Sequence, residues 1–373
     1  MKVLITGGAG FIGSHTADAL LSEGHTVRVL DSLEEPVHRG GQVPAYLDSR
    51  IEFVLGDVRD ETTLLHALDG CEAVYHLAAF QDYLPTFSRF FDVNVTSTAR
   101  IYELAVRERL PLKKIIVASS QATLGEGYYE DAAGRQVRPG LRSNEQLAAG
   151  IWEHQPGPGE EGPLRWLPTD ETFSNPQNPY GMSKIAEENV ALNLGRQHGI
   201  PTVAMRYSIV QGPRQSFYNA YSGACRVFCL SFNLGREPLL YEDGQQVRDF
   251  VNIHDVVDAN LMALNDPRMD YEMFNVGGDR AVTVAEFAQT VAGVFGHAGY
   301  EPNPSGKYRY GDTRHIFSDV SKLKALGWKP KRTVLASVEA YRTWIESADA
   351  GEEILDYCNN QMAKLGVVRE VSK

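Results

Sequence analysis

Lys2-Val3-Leu4-Ile5-Thr6-Gly7-Gly8-Ala9-Gly10-Phe11-Ile12-Gly13 is the stretch whose reading decides the fold. Residues 2–5 read as a short, mainly apolar strand, residues 6–13 as a glycine-rich turn, and residues 14–22 as a helix that stops at Gly24. Gly8, Gly10 and Gly13 satisfy G-x-G-x-x-G, the spacing that gives a tight turn, close backbone approach to a pyrophosphate and close packing of helix on strand. The helix N-terminus then offers unpaired N–H groups to the phosphates. A second apolar run, residues 26–30, ends in Asp31, eighteen residues after Gly13. A carboxylate there accepts both ribose hydroxyls of NAD and would repel the 2′-phosphate of NADP.

A chain of 373 residues exceeds the size at which a single core stops growing, so two lobes about a cleft are expected. The formal charge of −12 argues against a nucleic-acid or anionic-membrane partner. No apolar run reaches the length of a bilayer span, and residue 1 leads directly into the first strand, so neither a membrane helix nor a signal peptide is expected and cytoplasm is the default compartment. Cys71, Cys225, Cys229 and Cys358 are too scattered for a disulfide framework. Cys225 and Cys229 have helical spacing but no neighbouring His or Cys to complete a metal set, and read as buried structural thiols.

Strand and helix alternate along the next hundred residues. Residues 51–55 form a strand ending at the turn Gly56-Asp57-Val58, residues 62–68 a helix, and residues 73–79 a buried strand with the small-residue exit Ala78-Ala79. Residues 91–109 read as a helix and 114–120 as a strand ending in Ser119-Ser120. This alternation is the signature of an α/β, doubly wound parallel sheet of the Rossmann type. Residues 125–168 break the rhythm with Gly- and Pro-rich runs and are expected to form an insertion over the mouth of the site. A helix over 180–197 and a strand over 202–207 resume the pattern. From Gly212 the chain changes character, so residues 1–210 are expected to form the first lobe, with a return segment near 249–265, and 211–373 mainly a smaller substrate-binding lobe.

Tyr180-Gly181-Met182-Ser183-Lys184 places a phenol and an ammonium four apart, on one face of a helix. A neighbouring cation stabilises phenolate, so Tyr180 can serve as a general base toward an alcohol. Taken alone, such a pair is more often a solvated i,i+4 contact. Ser120, at the end of a central strand, can hydrogen-bond the same substrate oxygen or merely cap the next turn.

Together, residues 6–13, Asp31, Asp57-Val58, His76-Leu77-Ala78-Ala79, Ser119-Ser120, Tyr180 with Lys184, and Arg206-Tyr207 resemble the extended short-chain dehydrogenase/reductases, in the nucleotide-sugar epimerase/dehydratase branch. Gly212-Pro213-Arg214-Gln215, Tyr241-Glu242-Asp243-Gly244, Arg248-Asp249-Phe250-Val251 and Asp312-Thr313-Arg314-His315 are most similar to the dTDP-L-rhamnose 4-epimerase and UDP-sugar 4-epimerase groups. The resemblance implies NAD held by Gly7, Gly10, Phe11, Ile12, Gly13, Asp31, Asp57, Val58, Leu77, Ala78, Ala79, Tyr180 and Lys184. It implies Ser120, Tyr180 and Lys184 as the catalytic set, and a dTDP- or UDP-linked sugar contacted by Ser120, Gln121, Asn219, Arg248 and Arg314, the two arginines at the diphosphate. It also implies a homodimer built on the helices at 91–109 and 180–197, each carrying an apolar stripe.

Leu124, Ile209 and Gln211 replace residues usual in the family, so an altered sugar pocket is expected. In relatives of the rhamnose-epimerase type the insertion carries two cysteine pairs suggestive of zinc; Ala132-Ala133-Gly134 and Pro156-Gly157-Pro158-Gly159 stand there instead, and no metal is expected. Dehydratases of the family place an acid/base pair directly after the strand-end hydroxyl, whereas Gln121 and Ala122 cannot shuttle a proton. A 4-epimerase working through a transient 4-keto sugar with hydride return is the expected activity, with a dehydratase, a simple reductase and an idle NAD-binding scaffold as the alternatives.

Overall fold

The computed structural model describes residues 1–82, 85–219, 223–347, 354–355, 360, 366 and 368–371. Cys358 lies outside them. The first half runs β1 (Lys2–Thr6), α1 (Phe11–Ser22), β2 (Thr26–Asp31), β3 (Glu52–Leu55), α2 (Glu61–Leu68), β4 (Ala73–His76), α3 (Phe87–Phe91), α4 (Ser97–Arg107) and β5 (Lys114–Ser120). The insertion contributes β6 (Tyr128–Glu130), β7 (Gln136–Val137), α5 (Asn144–Ala148) and β8 (Arg165–Leu167). Then follow α6 (Pro179–His198), β9 (Thr202–Tyr207), β10 (Ile209–Gln211), α7 (Ala224–Asn233), β11 (Val247–Asn252), α8 (Ile253–Asn265), β12 (Glu272–Val276), β13 (Ala281–Thr283), α9 (Val284–Val294), β14 (Lys307–Arg309), α10 (Ser321–Ala325), α11 (Val334–Ser347) and β15 (Val368–Glu370).

Seven parallel strands in the order β12-β9-β5-β4-β1-β2-β3 form the main sheet. β4 and β9 are buried along their whole length, as strands covered by helices on both faces must be. One face packs against α1 and α8 through Ala17, Leu20, Val256, Ala259 and Ala263. The other packs against α2, α4 and α6 through Leu64, Leu68, Ile101, Leu104 and Leu192. Strand order reverses between β1 and β4, and the ends of these strands open a crevice there, where ligands of such sheets bind. The return to the first lobe extends beyond residues 249–265: β12 is its seventh strand, and Leu323 and Trp328 complete its core. A separate core, built from α7, α9, α11 and β11 around Phe228, Phe250, Phe287, Val291 and Tyr341, forms the second lobe. Cys225 and Cys229 lie in it as free, buried thiols with sulfurs 3.9 Å apart.

Three segments depart from the expected elements. The helix over 91–109 is split: residues 92–96 form a π-helical turn between α3 and α4, because Asn94 turns inward and exchanges hydrogen bonds with both backbone groups of Phe80 (2.7 and 3.1 Å). β4 stops at His76, since Leu77 and Ala78 leave the ladder to hydrogen-bond the carbonyl and hydroxyl of Thr6. The insertion is an ordered three-stranded antiparallel sheet in the order β7-β6-β8. Asp131 stitches its two turns, accepting from the N–H groups of Ala133 (3.0 Å), Arg135 (2.9 Å) and Glu161 (3.3 Å). Of residues 125–168 only Gly125 lines the cleft, so the insertion backs the wall rather than covering the mouth.

What fastens the insertion to the second lobe is a buried cluster of charges. Arg142 forms a bidentate pair with Glu242, each bond 2.9 Å, and Arg314 meets the same carboxylate at 3.0 Å. Removing one member leaves an uncompensated buried charge. Arg142→Met is therefore expected to lower the unfolding free energy by about 3–5 kcal/mol in chemical denaturation. Arg165→Ala, which breaks only the exposed pair with Glu130, should change it by less than about 1 kcal/mol.

Candidate active site

The cleft between the carboxyl ends of the main-sheet strands and the second lobe encloses about 870 Å³. At its floor the glycine turn brings α1 down onto β1. A Cβ at Gly13 would fall 2.6 Å from Gly8 Cα, and one at Gly7 would fall 2.7 Å from the Ala78 nitrogen. Gly7 is also the turn residue with positive φ, +67°, so the functional spacing is Gly7-x-x-Gly10-x-x-Gly13 and the tight turn belongs to Gly7 rather than to Gly8. Gly8 is small for a different reason: a Cβ there would run into the Val29 side chain. α1 begins at Gly10 with no side-chain cap, so no side chain takes up its first N–H groups.

The chain's groups fit a dinucleotide in this cradle. Asp31, at the end of β2, accepts from the N–H groups of Ala9 (3.0 Å) and Leu33 (2.9 Å). Each carboxylate oxygen keeps a lone pair for a ribose hydroxyl. Asp57, Val58, Leu77, Ala78 and Ala79 line the same wall, as do Gly10, Phe11 and Ile12. Burial works to raise the Asp57 carboxyl, but hydrogen bonds from Arg59 outweigh it and hold the group below its ordinary value.

Tyr180 and Lys184 enter from the first turns of α6, which Asn178 caps through the Gly181 N–H (2.8 Å) and Pro179 starts. Ser120 ends β5, caps the next turn through the Ala122 N–H (3.1 Å) and also hydrogen-bonds the Tyr180 hydroxyl, which sets its own hydroxyl beside the phenol. Lys184 Nζ sits 5.9 Å from the centre of the Tyr180 ring and donates to Ala118 O and to Glu187 Oε2, each at 2.7 Å. Desolvation raises the Tyr180 phenol above its ordinary value, while Lys184 and Ser120 pull it down. His76, hydrogen-bonded to Thr6 (2.7 Å) and Ser97 (2.9 Å), is driven down to about 3 by burial and by Lys184, so its imidazole is neutral.

On the opposite wall, Gln121 donates to Ser318 (2.8 Å) and Ser208 (3.2 Å), and Asn219, Arg248, Arg309 and Ile209 also line the cleft. Leu124 is instead packed with Tyr128, Phe173 and Ile316, and Gln211 is fully buried. Arg314 is corrected: it is completely buried, with its guanidinium taken up by Glu153, Glu242 and Asp243, and it does not reach the cleft. Arg309, 4.7 Å over the Tyr241 ring and paired with Asp312 at 2.7 Å, also lines the cleft, and no motif in the sequence marked it. Asn94 was equally hidden, since its run of residues reads as unbroken helix; its side chain fixes Ser183 on α6 at 2.8 Å.

Residues 3–141 and 153–277 match the NAD dependent epimerase/dehydratase family. The chain belongs to that family. Among relatives of this epimerase/dehydratase chain, the dTDP-L-rhamnose 4-epimerase of Burkholderia thailandensis is 34% identical over 92% of this chain and 94% of its own. A putative UDP-glucose 4-epimerase of Methanocaldococcus jannaschii is 30% identical over 92% and 98%. The UDP-glucose 4-epimerase of Thermotoga maritima, solved with UDP-glucose, superposes with a TM-score of 0.74 at 29% identity, covering 94% of this chain and all of that one. That of Thermus thermophilus, solved with NAD, superposes with a TM-score of 0.71 at 26% identity over 93% and 100%.

Gly13→Ala is expected to weaken NAD binding about tenfold to a hundredfold, because the added methyl meets backbone that can move only at a cost of about 1–3 kcal/mol. Calorimetric titration measures it. The same titration on the unaltered enzyme should show NADP binding far more weakly than NAD, and equal affinities would remove the role given to Asp31.

Proposed function

We propose that this chain is an NAD-dependent nucleoside-diphosphate-sugar 4-epimerase in which Tyr180, Ser120 and Lys184 carry the chemistry. The observation that carries the reading is their convergence at the end of β5 beside the glycine cradle, with Gln121 occupying the place where elimination would need an acid. Bound NAD supplies the acceptor and then the donor of hydride at the sugar C4. Tyr180 Oη, as phenolate, takes the proton of the 4-hydroxyl, and Ser120 Oγ holds that oxygen in line. Lys184 Nζ stabilises the phenolate and holds the cofactor ribose. Arg248, whose guanidinium no carboxylate pairs with directly among the described residues, anchors the diphosphate while the 4-keto sugar turns its other face. Ile209 on the cleft wall supports a sugar pocket that differs from that of relatives carrying Asn there, and the dTDP- or UDP-linked class is the proposed substrate.

Substrate deuterated at C4 should give product that keeps its deuterium at C4 with inverted configuration and without added NADH. Tyr180→Phe should bind the sugar nucleotide nearly as well yet lose at least about a thousandfold in kcat, since the missing acceptor acts in the transition state. Label washed into solvent, or turnover that consumes NADH, would replace the epimerase with a reductase or dehydratase.

A homodimer is part of the proposal. α3 and α6 expose Phe87, Phe91 and Met182, an apolar surface of the kind that symmetric pairs bury. Sedimentation at micromolar concentration should show the dimer, and a monomer there would refute it. Cytoplasm is the proposed compartment, supported by Cys71, Cys225 and Cys229 all standing as free thiols. No helix among the described residues is long and apolar enough to cross a membrane.

A further inference from the structure

Glu187 lies one turn beyond Lys184 on α6 and is completely buried. Its Oε2 accepts from Lys184 Nζ at 2.7 Å, and its Oε1 is buried with no hydrogen-bond partner. Helix geometry alone makes the two side chains neighbours, but nothing about helix packing asks for a carboxylate there, since burying one without full hydrogen bonding is costly. The adjacent acid, Glu188, cannot take its place, because it is committed to a bidentate pair with Arg206 at 2.7 and 2.8 Å and to Ser119. Besides Tyr180 itself, the titratable groups from other elements that face the pair carry no charge near neutrality: Tyr102 from α4, bonded to Thr202 at 2.8 Å, and the neutral His76 from β4.

We propose that Glu187 is a positioning residue: it keeps the buried Lys184 ammonium charged and fixed beside Tyr180, and so sets the pH range in which the tyrosine works as a base. The inference rests on the tyrosine-base reading above. An ammonium out of water tends to lose its proton, and a carboxylate in contact reverses that. The same negative charge offsets the field of Lys184 at Tyr180. Burial lowers Lys184 and is outweighed, chiefly by Glu187; at Tyr180 burial is the larger influence and Glu187 raises the phenol further. Glu187 itself is pushed up by burial, against Lys184, to about 7. Removing its charge therefore moves both groups in one direction, toward lower pH.

Glu187→Gln tests this, because the amide keeps an acceptor for Lys184 and loses only the charge. Both limbs of the kcat profile should shift to lower pH by about one unit, the acid limb through Tyr180 and the alkaline limb through Lys184. A readout without turnover is the tyrosinate absorbance of the NAD complex, titrated against Tyr180→Phe as blank, which should show the same downward shift. Glu187→Asp should move the limbs back toward the original. Limbs that stay in place while kcat falls evenly at all pH, or Asp and Gln variants with the same profile, would overturn the proposal. If Glu187→Gln does not fold, the double variant Lys184→Met, Glu187→Gln decides: recovery of folding identifies the orphaned ammonium as the fault, and continued failure shows that Glu187 is needed for shape alone. Retained turnover in Tyr180→Phe would instead sink the tyrosine-base reading, whatever Glu187 does.

Discussion

How near α1 can come to β1 governs everything at the catalytic end of this protein. Side chains at Gly7 and Gly13 would occupy the space where backbone meets backbone. Without them the helix start drops onto the sheet, and Ala78, leaving β4, passes directly over Gly7. That passage moves the chain out of the ladder at His76, hands the Thr6 hydroxyl to the Ala78 N–H, and leaves His76 bridging Thr6 and Ser97 as a neutral ring. The Ala9 N–H in turn orients Asp31. One steric allowance thus arranges the phosphate cradle, the ribose carboxylate and the strand exit together, which is why the glycines are spaced as they are.

A second constraint is electrical. α6 does not carry the expected apolar stripe through its first half; its inward face there is Ser183, Lys184, Glu187 and Glu188, and apolar packing takes over at Ala191 and Leu192. Charges replace hydrophobic contacts where the chemistry is done. Buried pairs of this kind add little net stability over well-packed apolar residues, but a mispaired one is severely disfavoured. Glu188 with Arg206 therefore fixes the rotation of α6 against β9, and Ser119 ties it to β5. The register in which Tyr180 meets Ser120 is set by these polar contacts.

Much of this was legible in the sequence because it depends on local pattern. The glycine turn, the alternating buried strands, the phenol and ammonium one helical turn apart and the strand-end hydroxyl are all visible as spacing. Gly7 was harder, since Gly7-Gly8 offers two registers and only the backbone conformation distinguishes the turn residue from the one that clears Val29. The insertion looked aperiodic because its strands are two or three residues long and its turns are held by one carboxylate, Asp131, rather than by a repeating apolar face. Asn94 and Glu187 left no periodic trace: each is a polar residue turned inward within a helical run, and its partner is found only once helices and strands are packed.

The arginines show where motif and environment part. Arg314 stands in a stretch that resembles a phosphate-binding motif, but three carboxylates already surround it, and a guanidinium so compensated has no net charge to give a ligand. Arg248 is held differently. The carbonyls of Val247, Thr313 and Arg314 accept its N–H groups at 2.8–3.0 Å, and no carboxylate pairs with it directly among the described residues. Carbonyl oxygens fix a guanidinium without cancelling its charge. Burial lowers its pKa, with Asp312 and Glu242 opposing, as expected of a cation placed where its full charge is not yet met. An anion entering the cleft would complete that site, whereas at Arg314 it would have to displace a carboxylate. The buried cluster around Arg314 accordingly serves to hold the wall, and through its backbone carbonyl to aim Arg248.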